Sequence, residues 1–143
     1  KNYFQSLRFP GIINDKVSPL LTMLIGVSSA VGFIFHETIF DYVPRFSEEF
    51  GELVGLAILI PRIIGGIAGH VGFTGIFSYF IGLSFYYKKI DIKLILFGWF
   101  LSSLLHALWN SLSGNIFLGL IIATTTFFIF IIYLTKAKQS FNL

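Results

Sequence analysis

Glu37, Arg62, His70, His106 and Asn110 lie within or at the ends of long stretches of Phe, Leu, Ile and Gly. Ionisable groups inside a membrane span are rare. One at a helix centre costs about 2.5–3.5 kcal/mol on insertion scales, so such a group is kept for a reason. A carboxylate, two imidazoles and a carboxamide brought together can exchange protons, bind a metal ion or line an ion path. Spacing sharpens the pattern. Ser103, His106, Asn110 and Ser113 stand at i, i+3, i+7 and i+10, one polar stripe on a helix of Leu, Phe and Trp. Gly26, Ala30, Phe33 and Glu37 share a face of an earlier helix, and Gly66, His70 and Thr74 share a face of the one between. Three helices each presenting one ionisable face is what a shared intramembrane site requires. His36 points away from Glu37 around its helix and reads as interfacial.

Each group also has a structural alternative. Glu37 near a span end can simply be hydrated, and His70 can be a packed, neutral imidazole. His106 and Asn110 can join helices by hydrogen bonds of about 0.6 kcal/mol. Arg62, at a span edge, reads as a side chain that snorkels to the head groups.

The elements that must carry these residues follow from composition. The chain has 143 residues, 55% hydrophobic and 12% charged, against about 25% charged in soluble domains. Four stretches are long enough to cross about 30 Å of hydrocarbon: about 18–40, 62–87, 92–112 and 115–135. Between the first two, Ser47 reads as an N-cap, with Glu48 and Glu49 in the first turn, for a short interfacial or re-entrant helix over about 47–60 that ends or kinks at Pro61. Residues 1–17, with Tyr3, Phe4, Leu7 and Phe9 among Lys1, Arg8 and Lys16, suit the membrane interface. The expected architecture is an all-α membrane protein, a bundle of about four transmembrane helices plus that short helix.

The net charge of +3 does not mark a nucleic-acid binder, because Lys and Arg sit at the edges of apolar runs rather than on a stripe. Absence of Cys excludes disulfides and thiolate metal sites. With four spans, Lys1, Arg8, Lys16, Lys88, Lys89, Lys93, Lys136 and Lys138 fall on one side, opposite Asp41, Arg45, Glu48, Glu49 and Glu52. The positive-inside rule then places both termini on the cytoplasmic or stromal side. In the second span Gly65-xxx-Gly69, Ala68-xxx-Gly72 and Ser78-xxx-Gly82 permit close helix approach. Gly69 and Gly72, mid-span, are expected to tolerate a larger side chain less well than Gly82.

At these same residues the chain resembles the PrsW family of glutamic-type intramembrane proteases, within the broader group of CAAX-type endopeptidases. Gly32-Phe33-Ile34-Phe35-His36-Glu37 is similar to the family's GFxxxE motif. Arg62–Gly82 is similar to its segment of an Arg, a His eight residues on and a Gly-rich helix, and His106-Ala107-Leu108-Trp109-Asn110 to its HxxxD/N motif. The resemblance implies catalytic roles for Glu37, His70, His106 and Asn110. A carboxylate would deprotonate water, with Glu37 orienting that base or sharing its proton. His70 and His106 would donate to the developing oxyanion, and Asn110 would fix the His106 ring. The family's EExxK motif is not seen within a span: Glu48-Glu49 is followed by Phe50-Gly51-Glu52 and comes after the FxxxE motif rather than before it. Either a helix carrying that motif precedes this stretch, or the chain is an inactive relative.

The expected function is therefore intramembrane endopeptidase, or the C-terminal half of one. A catalytically inactive membrane subunit or scaffold of a larger complex is the alternative. An ion or solute pathway ranks last, since no inverted repeat or pair of broken helices supports it. No cofactor is expected. Whether two His and one Glu hold a metal stays open, with no HExxH-like spacing in favour. Expected partners are the lipid bilayer and a membrane-protein substrate or partner subunits.

Overall fold

The structure, a computed structural model, describes residues 12–13, 16–87, 90–112 and 114–141. Most of the expected interfacial segment 1–17, together with Lys88, Lys89 and Ser113, lies outside the described residues. What is described of that segment is a two-residue antiparallel pairing of β1 (Ile12–Ile13) with β2 (Lys16–Val17). The rest is helical. Four helices are long and apolar enough to cross a membrane: α1 (Pro19–Phe50), α2 (Glu52–Tyr86), α3 (Ile92–Leu112) and α4, whose apolar part is Phe117–Gln139 of Ile116–Phe141. The chain is an integral, multi-pass membrane protein.

Local chemistry starts each helix. Ser18 Oγ accepts from the Leu21 N–H at 3.1 Å, with Pro19 in the first turn, where a missing N–H costs nothing. Asp91 Oδ1 accepts from Lys93 and Leu94 N–H, and Asn115 Oδ1 from Phe117 and Leu118 N–H, capping α3 and α4 in the same way.

The 41–61 region differs from the sequence expectation. The short helix is present, but only as Glu52–Ala57, because Gly51 at φ 94° breaks the chain where 47–60 was to be continuous. Ser47 is not a cap. It lies in the last turns of α1, which runs on to Phe50, so Glu48 and Glu49 stand at a helix C-terminus. Gly55 is buried against Ser47, where a Cβ would come within 2.9 Å of the Ser47 nitrogen and overlap its hydroxyl. The bare backbone lets the two helix ends close into a hairpin. Pro61 neither ends nor starts a span: it falls in the first turn of the helical run Leu59–Gly66, after a turn at Ile58, so its missing N–H breaks no helical bond. At about 1.5 Å per residue, α1 (32 residues) and α2 (35 residues) measure about 50 Å each. The hydrocarbon needs only about 30 Å, so both helices are longer than one crossing requires.

Close contacts fix the packing directions. Gly82 meets Pro19 and Thr22, Gly26 meets Ser78, and Gly66 meets Ile34, so position rises along α1 as it falls along α2. These helices are antiparallel. Gly98 against Phe80 and the 2.8 Å hydrogen bond from Ser102 Oγ to the Phe73 carbonyl give the same sense for α2 and α3. Gly72 on Thr126 and Gly75 on Phe130 make α2 and α4 parallel. The second half of α2 is thus the central post, and its buried Phe73, Ile76, Tyr79 and Phe80 form the core with Met23, Ile34, Leu105 and Phe130. Most other large apolar side chains point outward, as a lipid-facing surface requires.

The glycine expectation fails at Gly69 and in ranking Gly82 as tolerant, while Gly72 is close-packed as expected, a Cβ there falling 2.7 Å from Thr126 Cγ2. A Cβ on Gly69 would touch only the ring tip of Phe73 at 3.3 Å, on its own helix, whereas one on Gly82 would meet the Pro19 Cα at 2.6 Å as well as the Thr22 side chain. Depth along the span did not decide closeness; the crossings of α2 with α1 at Gly82 and with α4 at Gly72 did.

Candidate intramembrane site

Two helical irregularities frame the polar groups. A π-helical turn, Thr38–Tyr42, follows Glu37 immediately, and a second, Ile67–Val71, contains His70. Such turns insert one residue into an α-helix and re-aim the side chains after it. Neither is legible in a 3.6-residue pattern.

Glu37 closes the regular part of α1, and its carboxylate accepts a charge-assisted hydrogen bond from Arg62 Nη2. The two side chains are 25% and 19% exposed, so the pair is partly withdrawn from the surroundings. His70 Nε2 lies 3.9 Å from the same carboxylate oxygen. The His70 ring meets the His106 ring edge-on at a centroid distance of 5.4 Å, and His106 stacks on Phe73 at 5.2 Å and 21°. Phe33, one turn before Glu37, covers His70 at 5.2 Å. Arg62 also rests on the Tyr42 face, its Cζ 3.6 Å from the ring centroid. The polar line thus runs from Tyr42 through Arg62, Glu37 and His70 to His106, crossing α1, α2 and α3.

Three of the four residues singled out by sequence therefore come together: Glu37, His70 and His106. Asn110 does not join them; it is exposed and makes no hydrogen bond among the described residues. Of the polar stripe, Ser103 lies with His106 in a separate cavity of about 160 Å³ beside Phe73, and the Ser113 side chain lies outside the described residues. His36 is exposed and packs on Phe40 at 5.0 Å, as an interfacial ring would.

Sequence reasoning misjudged Arg62 and missed Tyr42. Arg62 does not simply snorkel: it is the partner of Glu37. A signal existed, since Arg62, Gly66 and His70 fall at i, i+4 and i+8 on one face. Tyr42 carried none. Five residues after Glu37 it would sit about 140° away on a regular α-helix, and the π turn intervenes between them.

A cavity of about 140 Å³ opens beside the cluster, lined by Arg62, His70, Gly65 and Trp109 among others. It is polar on one side and has room for several water molecules at about 30 Å³ each. A carboxylate fixed by an arginine, two ring N–H donors and adjacent room for water can activate that water and stabilise an oxyanion.

The chain is thus a multi-pass membrane protein with an ion pair and two imidazoles gathered between its helices. The family described as PrsW family intramembrane metalloprotease matches residues 11–135, and the chain belongs to that family. No curated protein and no solved structure matches the chain.

The family description implies a metal, and the residues present can be tested for one. Among the described residues, no three His, Asp or Glu side chains are grouped so as to hold an ion. The Glu37 oxygen nearest His70 is the one bonded to Arg62, so a cation already occupies the place a metal would need. The donor set in this arrangement does not fit a bound ion.

Proposed function

We propose that this chain is an intramembrane endopeptidase that hydrolyses peptide bonds of membrane-embedded substrates at Glu37, His70 and His106. The observation that carries this reading is their convergence from three different helices, with His70 lining a cavity that has room for water. Helix packing alone would not need a charged pair and two imidazoles at one depth.

In this reading Arg62 fixes the Glu37 carboxylate, which takes a proton from an adjacent water as the water oxygen attacks the scissile carbonyl carbon. His70 and His106 donate ring N–H groups to the carbonyl oxygen as it gains charge, where low dielectric makes them effective. Glu37 then returns the proton to the departing amine.

The test is cleavage of a synthetic membrane-spanning peptide of about 20 apolar residues by the purified protein in lipid vesicles. The wild type releases the fragment. His106→Phe keeps the aromatic stack on Phe73 but loses the N–H donor, and it lowers the rate about 10²-fold. Equal rates in both proteins would remove His106 from the chemistry, and no cleavage at all would leave the non-catalytic subunit.

The same reading places both termini on the cytoplasmic or stromal face, with the Gly51 hairpin opposite. Single cysteines at Glu49 and Lys138, in a chain with no Cys of its own, should be labelled from opposite sides by a membrane-impermeant maleimide. Labelling of both from one side would refute the arrangement.

A further inference from the structure

The Arg62 guanidinium touches α1 at two points. Its Nη2 donates to the Glu37 carboxylate, and its Cζ stands 3.6 Å from the centre of the Tyr42 ring. Its Nε is buried and makes no hydrogen bond among the described residues. A buried donor left unpaired is costly, and a long arginine stem has an alternative, which is to swing toward head groups and water. The bond to Glu37 alone does not offset both. The ring adds what is missing, because an aromatic face attracts a poorly solvated cation. The chain brings that ring into place by a local irregularity. Glu37 and Tyr42 are five residues apart and would lie about 140° apart on a regular α-helix. In the π turn Thr38–Tyr42 the Val43 N–H bonds to the Thr38 carbonyl, five residues back rather than four. The wider turn draws residues five apart toward one face, and one guanidinium meets both of them.

We propose that Tyr42 is a positioning residue: its ring face keeps the Arg62 guanidinium on the Glu37 carboxylate, and the π turn is the device that carries the ring there. The proposal rests on the protease reading above and adds a residue that acts through Arg62. Without the ring, Arg62 divides its time between Glu37 and outward rotamers, and a smaller share of molecules holds the carboxylate in its working orientation. The loss falls on kcat rather than KM, because Tyr42 is not among the residues lining the cavity at His70. The ring face carries the effect and the hydroxyl does not, since Tyr42 makes no hydrogen bond among the described residues. Arg45 also approaches this ring, its Cζ 4.9 Å from the centroid, but Arg45 is exposed. A solvated guanidinium gains less from an aromatic face than a withdrawn one. Arg62, whose side chain is 19% exposed and stands closer, is the cation the ring holds.

Cleavage of the membrane-spanning peptide in vesicles is measured for Tyr42→Leu, Tyr42→Phe and Arg45→Gln. Tyr42→Leu should lower kcat about tenfold with KM little changed, the scale of a misplaced catalytic group. Tyr42→Phe keeps the ring face and should match the wild type, as should Arg45→Gln. In an Arg62→Leu protein, Tyr42→Leu should cause little further fall, because residues that act through one another are not additive. An unchanged kcat in Tyr42→Leu would overturn the proposal. So would an equal loss in Tyr42→Phe or Arg45→Gln, or a full tenfold loss in the Arg62→Leu background. Thermal unfolding in detergent micelles supplies a readout that needs no cleavage. Tyr42→Leu should lower the unfolding temperature by about 3 °C when Arg62 is present, and by about half of that or less in the Arg62→Leu protein. The orphaned Glu37 carboxylate is common to both members of the second comparison and cancels. Equal shifts in the two backgrounds would refute the clamp while leaving the protease reading intact. Unequal shifts in a wild type that cleaves nothing would uphold the clamp and refute the protease.

Discussion

Glu37→Gln is expected to reduce peptide cleavage by about 10³-fold, in the range of losses for a positioned general base, while leaving a folded protein. Glutamine keeps the shape and can still accept from Arg62, but it cannot take a proton from water. The companion variant behaves differently. Arg62→Leu leaves the Glu37 carboxylate without its guanidinium in a setting where charge is costly. Breaking a fully buried pair costs about 3–5 kcal/mol. Here the partners are 19% and 25% exposed, so about 2 kcal/mol is the reasonable scale after allowing for solvation. The double variant Glu37→Gln with Arg62→Leu has no orphaned charge and should therefore be more stable than Arg62→Leu alone. Thermal unfolding in detergent micelles reads this difference directly. If Arg62→Leu unfolds with the wild type and cleaves at the wild-type rate, the pair neither fixes nor neutralises Glu37. Arg62→Lys should recover stability better than activity, because an ammonium supplies charge without the planar fork that lies on Tyr42.

The second large effect is in packing. Gly82→Leu should abolish the folded monomer, and Gly69→Leu should leave it purifiable. At Gly82 the α1 backbone itself is in the way, since a Cβ would sit 2.6 Å from the Pro19 Cα. Backbone cannot rotate aside. The Ser18 cap and Pro19 also anchor α1 at this point, so displacement would open the antiparallel α1–α2 pair from its end. Overpacking of a close interface typically costs about 1–3 kcal/mol, and more where backbone must move. At Gly69 the neighbour is the edge of the Phe73 ring, which can turn. Its movement would disturb the stack on His106, so Gly69→Leu should lose activity before stability. Size-exclusion chromatography after heating ranks the two variants; an equal loss of monomer would mean that the Gly82 crossing is not the tight one.

The sequence by itself determined the membrane. Apolar runs of about twenty residues broken by charge leave no other way to hide that surface, and each run carries one register for its polar residues. Glu37, His70 and His106 were legible as a set for that reason: an ionisable group in hydrocarbon stands out against its neighbours, and antiparallel spans bring similar depths together. Tertiary structure decided what the residues do to one another. Whether Arg62 reaches for head groups or for Glu37 depends on the α1–α2 crossing, which is set by Gly26, Gly66 and Gly82 meeting specific side chains on the other helix. Tyr42 joins through a π turn, a local hydrogen-bond shift that no residue type in Thr38–Tyr42 announces. Gly51 was visible as a glycine, but its positive φ, and with it the division of 41–61 into two helix ends, arises because the hairpin must close with Gly55 against Ser47. Asn110 shows the converse. Its spacing from His106 is ideal along one helix, yet helix periodicity fixes only a face, and among the described residues Asn110 is left exposed.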